Sequence, residues 1–167
     1  MGQYEKARDY YQKAADINKV CVGVSHPNSA NALSGLALVH QSLGDLDSAL
    51  NVFEEVLEIQ TKCYGNSHAS VASTRNNLGQ VLRKQGRLSE AMALYQQAQD
   101  IWKLSLGESH PCFALALGNV AKIHVLESRL LVAKELLGRA KSIFERALGQ
   151  EHEYTKWATA KLAMIAI

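Results

Sequence analysis

The stretch Leu78–Ala98, LGQVLRKQGRLSEAMALYQQA, reads as two helices joined at a glycine. Apolar or small residues stand at Leu78, Gly79, Val81 and Leu82, then at Leu88, Ala91, Leu94, Tyr95 and Ala98. That three- and four-residue spacing is helical rather than strand-like. Gly86 stops the first helix by allowing a left-handed residue at the turn. The pattern recurs every 42 residues along the chain: Gly2, Gly44, Gly86 and Ser128; Ala7, Ala49, Ala91 and Ala133; Tyr11, Phe53, Tyr95 and Leu137; Ile17, Ile59, Ile101 and Ile143. Gly23, Gly65, Gly107 and Gly149 follow, and His26, His68, His110 and His152 close the set. A period of this length marks an array of small units, each burying its apolar face against its neighbours.

Within one period the spacing predicts a first helix over 69–85 and a second over 88–106. Gly107 ends the second in the same way as Gly86 ends the first, and Gly107-Glu-Ser-His110-Pro111 forms a short loop before the next helix. Pro111 sits in that helix's first turn, where a missing N–H costs nothing. The recurring histidines read as loop side chains bonding to the next helix start. Ala37, Gly79, Ala121 and Ala163 are the small partners of the Ala49 series, letting two helices approach closely. The chain therefore divides into a second helix alone (1–25), three full pairs (26–67, 68–109 and 110–151) and a first helix alone (152–167), about eight helices in a single array. Ala163-Met-Ile-Ala-Ile167 is the opposite of a polar cap, which reads as part of a longer repeat protein. Leu162, Ile165 and Ile167 are expected to lack cover and to promote self-association.

Leu78-Gly79, Gly86-Arg-Leu88, Ala91, Tyr95 and Ala98 resemble the tetratricopeptide repeat consensus. The long period and the Leu106–Pro111 linker resemble the variant found in kinesin light chains, as does Thr74-Arg-Asn76-Asn77-Leu78-Gly79, with Arg75 where that variant has leucine. The resemblance implies an all-α right-handed superhelix of antiparallel helix pairs whose first helices line a concave groove. A propeller is excluded by helical periodicity and the lack of a Trp-Asp signature, and HEAT repeats fit the glycine and alanine series less well.

The first-helix side away from Leu78 and Val81 then supplies a candidate peptide-binding face: Ser73, Asn76, Asn77, Gln80, Arg83 and Lys84, followed by Asn119, Lys122, Trp157 and Lys161. Amides can pair with a peptide backbone whatever its sequence, and the cations can attract acidic side chains or a terminal carboxylate. The double amide of Asn76-Asn77 is replaced by Ser34-Gly35, Gly118-Asn119 and Ala160-Lys161, so kinesin light chain cargo specificity does not carry over. The Lys/Asn/Arg carboxylate clamp of chaperone-binding members is not reproduced.

Composition narrows the function classes. The chain of 167 residues is 47% hydrophobic and 20% charged with a net charge of +2, as for a folded protein with no bulk pull on nucleic acid or anionic membrane. No apolar run reaches the roughly 18 residues needed to span a bilayer, and the first residues form no signal or transit peptide. Three cysteines, Cys21, Cys63 and Cys112, give an odd count without CxxC spacing, which suits thiols in a reducing compartment. The periodic histidines are too far apart for one metal site, and His124 with Glu127 lacks a third ligand. No converging catalytic set, phosphate loop or cofactor motif is present, so no enzyme activity, cofactor or metal is expected. The sequence predicts a cytoplasmic or cytoskeleton-associated scaffold for a protein or peptide partner, acidic in character. The alternative is a structural segment of a large cytoskeletal or organellar assembly that uses its ends and outer face.

Overall fold

The computed structural model describes residues 2–21, 23 and 26–165. Among them eight helices form and no strand does: α1 (Gly2–Cys21), α2 (Pro27–Leu43), α3 (Leu46–Tyr64), α4 (Ala69–Lys84), α5 (Leu88–Leu106), α6 (Pro111–Leu126), α7 (Leu130–Leu148) and α8 (Glu153–Ile165). The central pair matches the expected boundaries to one residue. The chain divides into two compact units, Met1–Ala91 and Met92–Ile167.

Each helix start follows from local chemistry. His26, His68 and His110 take extended backbone angles as N-caps. Their Nδ1 atoms accept from the backbone N–H two residues on, as does that of His152, at 3.1–3.2 Å. An accepting Nδ1 carries no proton, so in each ring the proton sits on Nε2. The periodic histidine is thus a helix cap, an unusual one beside the common Ser, Thr, Asp and Asn.

The two glycine series do different work. Gly44 is left-handed at φ 83° and ψ 3°. Gly65 and Gly149 share the positive φ but turn ψ to 166°, a region essentially closed to any residue with a side chain. The linker therefore does not end its helix as the turn does, and the difference explains the substitution pattern. Ser128 can replace glycine at a turn, at φ 60°, whereas all four linker positions keep glycine.

In the first unit α1 packs on α2, α2 on α3 and α3 on α4. Ala30, Val56 and Ile59 form a cluster with Leu33 against it, joining α2 to α3. Ala37 and Ala49 are fully buried, as the alanine series predicts. In the second unit α6 packs on α7 and α7 on α8. Ala121, Ala133 and Leu137 form one cluster, and Phe113, Leu117, Phe144 and Ala158 belong to another. Leu162 and Ile165 pack against the first of these clusters, so they are not the bare residues expected from the sequence; Ile167 lies outside the described residues. The face of α8 left open carries Thr159, Ala160, Ala163 and Met164 instead.

Cys21 and Cys63 are exposed and Cys112 is half-buried, none in a disulfide; burial pushes the Cys112 thiol up. Among the described residues no helix is long and apolar enough to cross a membrane.

Candidate peptide-recognition face

The first unit carries the α4 stripe. Leu78, Val81 and Leu82 are buried on one side, which turns Ser73, Asn77, Gln80 and Lys84 toward the other. Ser73 is exposed and donates to the Ala69 carbonyl at 3.1 Å. Asn77 and Gln80 are half-buried, with Gln80 Nε2 donating to Asn77 Oδ1 at 3.3 Å. That bond leaves the second N–H of Gln80 and the amide NH2 of Asn77 as donors of the stripe. Asn76 is buried, and so is set deeper than its neighbour in the double amide.

Two cations close α4. Lys84 Nζ donates to the Gln41 carbonyl at 3.3 Å, so it settles on the carbonyl end of α2, where a positive charge is favoured by the helix dipole. Arg83 is half-buried, and its Nε is shut off from solvent with no hydrogen-bond partner among the described residues. Gln85 Nε2 reaches Asp47 Oδ1 at 2.8 Å and ties the end of α4 to the start of α3.

The second unit carries a group of its own on α6 and α8. Lys122 Nζ donates to Asn119 Oδ1 at 3.0 Å and lies 4.7 Å from the centre of a Trp157 ring. Asn119 is buried, while Lys122 and Trp157 are half-buried. A cation over an indole is held by the ring quadrupole and keeps its charge. Gly118 stands against the far edge of the indole: a Cβ there would come within 2.8 Å of the Trp157 ring, so glycine lets the ring approach α6 this closely. Lys161, half-buried one turn beyond Trp157, places its Nζ 3.8 Å from Met164 Sδ.

Asn119, Lys122 and Trp157 are thus brought into one contiguous group, and Asn77, Gln80, Arg83 and Lys84 line one side of α4. Gly118 at the indole edge and Gln41 as the carbonyl under Lys84 emerge only from neighbouring helices. Chemically, both units present amide donors beside cations, with an aromatic surface in the second. That set suits an extended backbone carrying carboxylates.

Antiparallel helix pairs with a 42-residue period, joined by glycine turns and histidine-capped linkers, define a helical repeat protein. The chain belongs to the tetratricopeptide repeat family, whose model matches residues 1–62, 29–104 and 70–130. A comparison with curated proteins found no match. Among solved structures the chain is similar to kinesin light chain nearly identical TPR-like repeats of Podosopora anserina, at 24% identity and a TM-score of 0.76 over 98% of this chain and 78% of that one. A substituted form of that same repeat protein gives 23% identity and a TM-score of 0.78, with 98% and 77% covered. BtubC (BKLC) from P. vanneervenii gives 19% identity and a TM-score of 0.83, over 98% of this chain and 65% of that one. At these identities the likeness concerns the fold alone.

Proposed function

We propose that the chain is a non-catalytic scaffold, one array of repeats over residues 1–167, that binds an extended or helical peptide of a protein partner through its first helices. The observation that carries this reading is the Asn119–Lys122–Trp157 group beside Gly118. Trp157 also packs against the core of the second unit, but that role alone does not need a half-buried cation over its ring. In the first unit the α4 stripe separately presents amide donors and two cations of the same character. The partner segment is acidic or ends in a free carboxylate, and the site works in a reducing, cytoplasmic setting in cargo or adaptor recognition.

The test is an array of dodecapeptides with acidic, neutral and basic members, probed with the full chain at low salt. Acidic members should be enriched among binders, and salt should weaken them, because exposed charge contacts are screened. Equal capture of basic and acidic members would overturn the reading.

A second reading, a structural segment of a larger cytoskeletal or organellar assembly that associates through its outer face, is favoured by α5 and α7, where Leu104 is 84% exposed and Leu131 85%. Sedimentation over a wide concentration range tests it, and a mass that stays at one chain would reject it.

A further inference from the structure

The stripes of α4 and α6 differ at their ends. On α4 the four positions are Ser73, Asn77, Gln80 and Lys84, polar throughout. On α6 the same positions of the period are Leu115, Asn119, Lys122 and Leu126. The middle stays polar, and leucine takes both ends. Leu115 already has a place, packed against the core of the second unit. Leu126 is 57% exposed. Resting on the acidic-segment reading above, we infer that the segment docking on the second unit carries an aliphatic side chain two places from its acidic residue, and that Leu126 receives it.

The exposure of Leu126 belongs to its position in the repeat and not to where the sequence stops. Its equivalents Ser42 and Lys84 are exposed as well, and Ser42 is so in the first unit with the following first helix, α4, in place. The position before it is a different case: Gln41, the equivalent of Val125, is buried where Lys84 rests on its carbonyl. One exposed leucine is ordinary on any protein surface. What singles out Leu126 is its place, one turn beyond Lys122 on the same side of α6.

The spacing selects the occupant. Four residues of α-helix advance about 6 Å along the axis. In an extended chain, side chains two residues apart share a face and stand about 6.6–6.8 Å apart. A backbone lying along α6 with a carboxylate at Lys122 therefore brings its next side chain on that face to Leu126. A side chain one place from the acid points the other way. Charge fixes the acid, because Lys122 is held by the Asn119 oxygen and the Trp157 ring and keeps its positive charge there. A polar side chain set against Leu126 would lose water with no hydrogen bond in return, whereas an aliphatic one gains from the same burial. α4 ends in Lys84 instead, so the preference is confined to the second unit.

Variants of the strongest acidic dodecapeptide of the array test this, with leucine or serine placed one or two residues from its acid. Each is titrated into the full chain and into Leu126→Ser, a change to the residue type that α2 carries at Ser42; circular dichroism and thermal unfolding check the fold. In the parent, leucine two places from the acid should bind at least about fivefold tighter than serine there, from partial burial of two aliphatic side chains. Leucine one place away should match serine. Leu126→Ser should abolish the preference and leave the serine peptides within about twofold of the parent. Added salt should weaken leucine and serine peptides together and keep their ratio, because screening acts on the charge contact alone. Acidic peptides that bind with no preference for leucine at two places, or a preference that Leu126→Ser leaves intact, would overturn this inference and leave the acidic-segment reading standing. So would an equal loss on leucine and serine peptides in the variant, which would mark Leu126 as structural. Equal capture of basic and acidic members of the array would overturn both.

Discussion

The junction between a second helix and the next first helix is built in two ways. In the first unit Thr74 Oγ1 on α4 donates to Gln60 Oε1 on α3 at 2.7 Å, both side chains buried. The equivalent pair in the second unit is Phe144 on α7 and Ala158 on α8, which share an apolar cluster with Phe113 and Leu117. The backbone solution around them is the same: a positive-φ glycine, then a histidine whose Nδ1 caps the following helix. The repeat therefore holds fixed what sets chain direction and helix spacing, and it lets the filling change. The turns within each pair show the same freedom. Gly44 and Asp45 make one turn, with Asp45 Oδ1 accepting from the Ser48 N–H at 3.2 Å, while Ser128 and Arg129 make the other with no side-chain cap. Positions of the candidate face vary as widely, from Gln80 to Lys122 and from Ser73 to Trp157.

If spacing is what the repeat conserves, the largest effect should come from a small position. Ala133→Leu overfills the cluster with Ala121 and Leu137 and should cost up to about 3 kcal/mol. Thermal unfolding equal to that of the parent would show that the alanine series does not set the helix spacing. Next comes the polar junction. Thr74→Val strands the buried Gln60 oxygen and should cost about 1–2 kcal/mol, while adding Gln60→Leu should recover most of it, since replacing both partners by apolar groups is nearly neutral. Denaturant titrations of the three variants check this, and a double variant as damaged as the single one would mean the two junctions are not interchangeable.

The turns give smaller effects. Asp45→Ala should cost about 1 kcal/mol as a lost cap. Hydrogen bonds from Ser48, by side chain and backbone, hold the Asp45 carboxyl below its ordinary value, with His40 helping. A depressed carboxyl contributes fully above the ordinary carboxylate range and loses its contribution as pH falls through the lowered folded value. The gap between parent and variant should therefore be present at neutral pH and close on acidification below the ordinary Asp range. A gap that widened in acid would contradict the assignment. Ser128→Gly should stabilise by about 0.5 kcal/mol, because the relieved left-handed strain of roughly 1–2 kcal/mol is partly offset by the entropy of an unfolded glycine. A loss of stability would show that the Ser128 side chain contributes more than its strain.

Much of the architecture is legible in the sequence because the periodic residues act locally. A glycine turn, a histidine two residues before the N–H it caps and an alanine at a helix crossing need no knowledge of distant chain. The candidate face is legible only as a polar side of a helix. Nothing in the order of residues says that Lys84 rests on the Gln41 carbonyl or that Trp157 needs Gly118, because those contacts depend on how adjacent first helices pack. The Gln60–Thr74 pair does leave a trace: two positions that are both polar in one repeat and both apolar in another. Covariation of that kind within a repeat marks contact. The cover over Leu162 and Ile165 follows from the contact of a first helix with the preceding pair, the same contact that buries Leu36 and Leu78.

The central claim is that fixed positions carry the fold and variable first-helix positions read the partner. The most direct measurement pairs thermal unfolding with affinity for the strongest acidic dodecapeptide of the array, in the parent and in a chain carrying Asn77→Ala and Lys84→Glu. Charge-assisted contacts contribute about 1.5–3 kcal/mol each when shielded, so affinity at low salt should fall by at least about tenfold. The unfolding temperature should fall only by the small amount that the Lys84 contact with the α2 carbonyl end contributes, about 1 kcal/mol or less. Unchanged affinity at low salt, with the fold intact, would contradict the claim and move recognition to the ends and outer helices.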